Sequence, residues 1–112
     1  MPYKLVFSPV FKVSLRRLKS FLLRKFSAEV SETAQSQIRK VIEETLPLNP
    51  FMGPVCDRLL DLGVPGYRQL VIDKHNTVIY RIDEANQELV VLLVFDSRQS
   101  LQHLLVDINL VL

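Results

Sequence analysis

The sequence predicts an α+β domain: an N-terminal strand, an antiparallel helical hairpin, then a three-stranded antiparallel meander (β-α-α-β-β-β) with a short C-terminal helix or extended tail. Three patterns lead there. Alternating residues open the chain and recur in its last third, as in strands whose successive side chains face opposite ways. Apolar residues spaced three and four apart fill the stretch between, as in helices that bury one stripe. Short polar links join the segments, which favours pairing between neighbours in sequence. At 112 residues the chain reads as a single domain over 1–112. A chain of that size buries roughly two thirds of its unfolded surface, enough for a core without staples.

Tyr3-Lys4-Leu5-Val6-Phe7 alternates with period two and reads as the first strand. Ser8-Pro9 ends it, because serine suits an N-cap and proline suits a first helical position whose N–H has no intrahelical partner. Phe11, Leu15, Leu18 and Leu22 then form one stripe of a helix over about 9–25, with Arg16, Arg17, Lys19 and Arg24 off it. A polar break at 27–31 precedes a second helix carrying Ala34, Ile38, Val41 and Ile42. It ends by Leu46, since Pro47 cannot continue it. Neither helix buries its stripe alone, so a sheet should lie beneath the pair.

Pro54 is expected to open a short helical turn over 55–62, with Leu59, Leu60 and Leu62 inward and Gly63 as its stop. Cys56 reads as a small buried hydrophobe, because nothing cationic precedes it to activate a thiolate. Three strands follow, at about 67–73, 77–83 and 89–96. The last, Leu89-Val90-Val91-Leu92-Leu93-Val94-Phe95, is apolar on both faces and so should be central. In the tail, Leu101, Leu104, Leu105 and Ile108 fit a helix, whereas Val106, Ile108, Leu110 and Leu112 alternate. A short helix followed by an extended end accommodates both.

Charge is distributed unevenly. Residues 1–25 hold seven of the 14 Lys and Arg and no acid, so they carry +7 against −5 for the remainder, within a net of +2. Such a segment suits an acidic partner chain or nucleic acid, or is simply a solvated helix face. The lone Cys56 makes no internal disulfide and suits a reducing compartment. Neither a signal-peptide core nor an apolar stretch of transmembrane length is present, so a cytoplasmic protein without membrane contact is expected.

Four motifs carry a family resemblance: Phe7-Ser8-Pro9, Pro65-Gly66-Tyr67-Arg68, Val78-Ile79-Tyr80-Arg81-Ile82-Asp83 and Ser97-Arg98-Gln99. With their order and spacing, the whole chain resembles the RelE/ParE superfamily of toxins from bacterial type II toxin–antitoxin pairs. The resemblance implies a cognate antitoxin in a toxin–antitoxin hetero-oligomer, no cofactor, and one of two targets. RelE-like members cut messenger RNA on the ribosome, which requires a base for the 2′-hydroxyl, cations for the phosphate and an acid for the leaving oxygen. ParE-like members lack that set and poison DNA gyrase.

The sequence departs from the nuclease pattern. Thr77 stands where the family usually has arginine before Val-Ile-Tyr, Leu104 where a catalytic tyrosine is expected, and Asp96 where histidine often ends the last strand. Arg68 and Arg98 remain as catalytic candidates, with His75 and His103 as substitutes for the missing acid or base. One cysteine and two distant histidines make no metal site. Arg81 can pair with Asp83 on its own face or with Glu88 of the neighbouring strand.

The reading that follows is a ParE-like toxin, of the kind that stabilises plasmids or prophages, inhibiting gyrase by binding. Lys12, Arg16, Arg17, Lys19 and Arg24 would hold the antitoxin, and Arg68, Arg81 and Arg98 the target. The alternatives are a ribosome-dependent mRNA endonuclease using Arg68, Arg98, His75 and His103, and an inactive toxin that only binds antitoxin and co-represses its operon.

Overall fold

The computed structural model describes residues 2–107. In chain order the elements are β1 (Lys4–Phe7), α1 (Pro9–Lys25), α2 (Ala28–Lys40) with a π-helical turn (Val41–Thr45), α3 (Asp57–Asp61), β2 (Arg68–Val71), β3 (Asn76–Asp83), β4 (Glu88–Asp96) and α4 (Leu101–Asp107). The four strands form one sheet in the order β1-β4-β3-β2. β2, β3 and β4 are the expected antiparallel meander, whereas β1 joins β4 in parallel, with Lys4 opposite Glu88 and Phe7 opposite Val91. The sheet is therefore mixed. A parallel neighbour needs a crossover, and the helical hairpin supplies it.

β4 is buried because both faces of the sheet are covered. On one face Phe11, Leu18 and Leu22 of α1 and Ala34, Ile38 and Ile42 from the second helix pack on Val78, Tyr80, Leu89, Val91 and Val94. On the other, Cys56, Leu59, Leu101, Leu104 and Leu105 pack on Ile79, Leu93 and Phe95. The expected Ser8 cap forms, the Phe11 N–H donating to Ser8 Oγ at 3.1 Å, and Ser27 caps the second helix in the same way, its Oγ accepting the Val30 N–H at 3.1 Å.

β4 contains a bulge. Ile79 faces Leu93 and Tyr80 faces Val91, so Leu92 is the extra residue. Beyond the end of β1, side chains take over the β4 edge. Ser8 Oγ donates to the Leu92 carbonyl at 2.7 Å, Ser14 Oγ accepts the Val94 N–H at 3.0 Å, and Gln99 Oε1 accepts the Asp96 N–H at 2.9 Å.

Several expected boundaries move. The second helix does not simply stop at Pro47 but widens first, the Leu46 N–H reaching Val41 O at 2.9 Å, which places Ile42 and Leu46 in the core. The helix expected over 55–62 shrinks to Asp57–Asp61, because the segment before it lies extended along β2. Cys56 N–H donates to Tyr67 O at 2.8 Å, Gln69 N–H donates to Pro54 O at 2.9 Å, and Val55 bridges to Arg68. Leu59 is buried as expected, but Leu60 points outward. β2 stops at Val71 because Asp73 folds the chain back, its Oδ1 accepting the His75 and Asn76 N–H groups at 2.8 and 2.9 Å. Gly63, at φ +86°, ends α3 in the left-handed conformation its position predicts. α4 realises the tail helix; the extended end expected after it lies outside the described residues.

Candidate functional site

Arg98 is the most elaborately held cation. It follows β4, where Gln99 N–H donates to Asp96 O at 2.8 Å and closes a tight turn. Asp96 is 0% exposed, and Arg98 answers it with a two-pronged bond, Nε to Oδ1 at 2.8 Å and Nη2 to Oδ2 at 2.6 Å. The Arg98 backbone N–H adds a third donor at 2.8 Å. Burial alone would raise the Asp96 pKa, but the hydrogen bonds and charge of Arg98 outweigh it and hold the carboxyl below its ordinary value. The same bond raises Arg98 above its ordinary value. Its guanidinium lies 4.4 Å from the ring centre of Phe26, at the end of α1, so the side chain is fixed by a planar fork and an aromatic face while remaining 37% exposed.

His75 sits beside it. The Ser97 N–H donates to His75 O at 2.7 Å, and His75 Nδ1 lies 3.4 Å from Ser97 Oγ. Both Arg98 and His75 line a groove between α2 and the β2–β3 turn, together with Glu29, Thr33, Lys74 and Asn76. Asn76 is buried; its Nδ2 donates to Asp73 Oδ2 at 2.7 Å, and its Oδ1 has no protein partner.

Arg68 and Arg81 lie elsewhere. Arg68 pairs with Tyr80, whereas Asn76 at the other end of β3 pairs with Asp96. Four residues of strand separate the two places, about 13 Å. Arg68 Nη1 donates to Gly53 O at 2.6 Å, and its guanidinium lies 5.0 Å from the Phe51 ring centre. Arg68 and Arg81 line one recess with Phe51, Asp83 and Glu84. Asp83 is held below its ordinary pKa chiefly by the Asn86 side-chain and backbone donors; the charge of Arg81 adds a smaller pull. His103 is exposed on α4. Of Arg68, Arg98, His75 and His103, only His75 and Arg98 share a groove. Thr77, Leu104 and Asp96, the positions that depart from the nuclease pattern, are all buried.

The cations of α1 divide between two grooves. Arg16, Arg17 and Arg24 border one with Val13, Phe21, Leu23 and Gln99. Lys19 instead borders the groove between α1 and the second helix, floored by Phe11, Leu15, Ile38 and Ile42 and shared with Arg39 and Glu43. Lys12 is exposed on the same helix. Two partnerships were not visible in the sequence: Phe26 under Arg98, and Tyr80 with the loop at Gly53. Phe26 interrupts a polar link and was the available signal for the first.

Among the described residues no cluster of three or more His, Cys, Asp or Glu is arranged to hold a metal ion, and no helix is long and apolar enough to cross a membrane. Residues 5–101 match the family model described as ParE toxin of type II toxin–antitoxin system, parDE. The chain belongs to the ParE toxin family. This ParE-family toxin is similar in fold to a chain of the RelBE2 toxin–antitoxin complex of Mycobacterium tuberculosis, at a TM-score of 0.58 and 19% identity over 86% of this chain and 99% of that one. It is also similar to a chain of the chromosomal ParDE toxin–antitoxin system of Pseudomonas aeruginosa, at a TM-score of 0.60 and 15% identity over 84% of this chain and 95% of that one. At such identities the likeness speaks for the fold. No curated protein matches the ParE-family sequence.

Proposed function

We propose that this ParE-family toxin acts by binding DNA gyrase, blocks replication, and is neutralised by a cognate antitoxin. The observation that carries the proposal is the burial of Thr77, Leu104 and Asp96. Where a ribonuclease of this fold would present groups to its substrate, this chain packs its core. Arg98, the arginine best placed for phosphate, already spends two N–H groups on Asp96, leaving a fixed and half-exposed surface cation. That suits recognition, where a preorganised arginine supplies contact without ordering cost. The exposed cations of α1 provide the complementary surface for an acidic antitoxin segment.

Supercoiling by purified gyrase is the direct test. Loss of supercoiling as toxin is added, restored by antitoxin, is the expected result; full activity at saturating toxin overturns the gyrase reading. The shared groove of His75 and Arg98 favours one rival, a ribosome-dependent messenger-RNA endonuclease. It requires new cleavage sites in translated messages by primer extension, lost in Arg98→Ala.

A further inference from the structure

Two side chains hold the Arg98 guanidinium, and they restrain different motions. The Asp96 fork, Nε to Oδ1 at 2.8 Å and Nη2 to Oδ2 at 2.6 Å, fixes where the guanidinium lies within its own plane. A two-point bond still lets that plane swing about the line through the two oxygens. Phe26 opposes the swing: its ring centre lies 4.4 Å from Arg98 Cζ, and the attraction of a cation for an aromatic face weakens as the plane lifts away. Phe26 is itself anchored. It opens the two-residue link between α1 and α2, its N–H donates to Leu22 O at 2.9 Å, and Ser27 behind it caps α2. The ring is 46% exposed, so burial is not the reason for a phenylalanine at this place.

What this clamp leaves over is directional. Of the five N–H groups of an arginine side chain, two go to Asp96. The other three, two on Nη1 and one on Nη2, have no partner among the described residues, and the edge between those nitrogens presents two parallel donors. The surrounding charges select nothing by themselves. Lys74 and Glu29 border the same groove with opposite signs, Asp73 is engaged by the donors of its own turn, and Asp96 offsets the charge of Arg98. Recognition here depends on where the free donors point, and so on the tilt of the plane. We propose that Phe26 is a positioning residue for the target contact, acting through Arg98 by setting the tilt at which that outer edge meets an oxygen acceptor on the target. This rests on the reading of the chain as a binding toxin with Arg98 in its contact surface, and not on which target is bound. A ring that merely packed the hairpin would be replaceable by leucine, which keeps the apolar bulk and lacks the aromatic face.

The test compares wild-type toxin with Phe26→Leu and Phe26→Tyr, each alone and with Arg98→Gln, whose amide still donates to Asp96 but gives the ring no cation. Four quantities are read: the toxin level that arrests growth in a host lacking the antitoxin, antitoxin affinity, Tm, and the NMR order parameter of Arg98 Nε. Phe26→Leu should need about three- to fivefold more toxin for arrest, the size of an exposed cation–π contact, while Phe26→Tyr stays at wild type. The order parameter should fall in the leucine variant and recover in the tyrosine one, with Tm and antitoxin affinity near wild type in both. With Arg98→Gln in place, Phe26→Leu should add nothing further. Wild-type toxicity in Phe26→Leu, or in Arg98→Gln alone, overturns the proposal. So does a leucine effect that persists in full beside Arg98→Gln, which would make the ring a contact of its own. A fall in Tm that tyrosine does not restore would make it a packing residue, and a parallel loss of antitoxin affinity an antitoxin contact; either result overturns the proposal as well. If gyrase resists wild-type toxin while these growth effects persist, the gyrase reading fails and the role of Phe26 stands.

Discussion

At the scale of single residues, two fully buried side chains govern what the surface presents. Tyr80 looks in the sequence like one apolar position of a strand, yet its hydroxyl joins two backbone groups of a loop 27 and 30 residues away. Tyr80→Phe leaves Pro50 O and the Gly53 N–H without that partner and should cost about 1–3 kcal/mol, read from the urea midpoint at unchanged m-value. Asp96 behaves likewise. Its folded pKa is held below the ordinary aspartate value, as is that of Asp73, whose burial is outweighed by the Asn76 and His75 donors. Carboxyls lowered in this way stabilise the fold fully above their unfolded pKa, and that contribution fades as pH falls through the folded value. Stability should therefore hold from neutrality to about pH 4 and decline below it; Asp96→Asn should start less stable and show a shallower acid loss in pH-dependent melts. The alternation of Val78, Tyr80 and Ile82 against Ile79 and Arg81 was readable because period two is a local property. What those residues reach was not, since Asp96 with Arg98 and Phe26, or Tyr80 with Gly53, join positions that only the finished fold brings together.

Among the elements, β4 departs most from what its sequence shows. Its run of apolar residues announced a central strand, and a central strand it is, buried on both faces between β1 and β3. An unbroken apolar run carries no parity, however, so the extra residue at Leu92 left no trace in the pattern. Nor does alternation name a partner: period two marks residues 3–7 as a strand but says nothing of its parallel place beside β4. Pro54 misled for a similar reason: proline suits the first turn of a helix and equally an extended edge that accepts from Gln69. Ser14 marks the bulge from the other side. Ser14→Ala removes the acceptor of the Val94 N–H and should cost about 1–2 kcal/mol despite the better helix propensity of alanine. Ser20→Ala, on the exposed face of the same helix, should leave the melting midpoint unchanged or slightly raised.

Over the whole molecule, the α1 cations and the apolar loop at 48–55 sit on different elements. The cations of α1 occupy the hairpin, and the apolar loop lies beyond the second helix at the β2 margin. A toxin with two such surfaces should show separable defects. Arg16→Glu should weaken antitoxin binding mainly through a slower on-rate, more at low salt than at high, and leave growth arrest intact. Plasmon resonance at two salt concentrations, beside plating of the same variant, measures both. The one-sided charge was legible by counting, whereas its division between two grooves was not, because Lys19 and Arg24 differ only in which neighbour the helix turns them toward.

The parallel pairing of β1 with β4 bears on how such a chain is made. Some eighty residues separate Lys4–Phe7 from the strand it pairs with, Glu88–Asp96. The sheet cannot close around its central strand until β4 has been made and has left the ribosome. Every nascent fragment that stops short of β4 should thus be harmless to the cell that is translating it, and a cognate antitoxin already present would meet the toxin at the moment it first becomes competent.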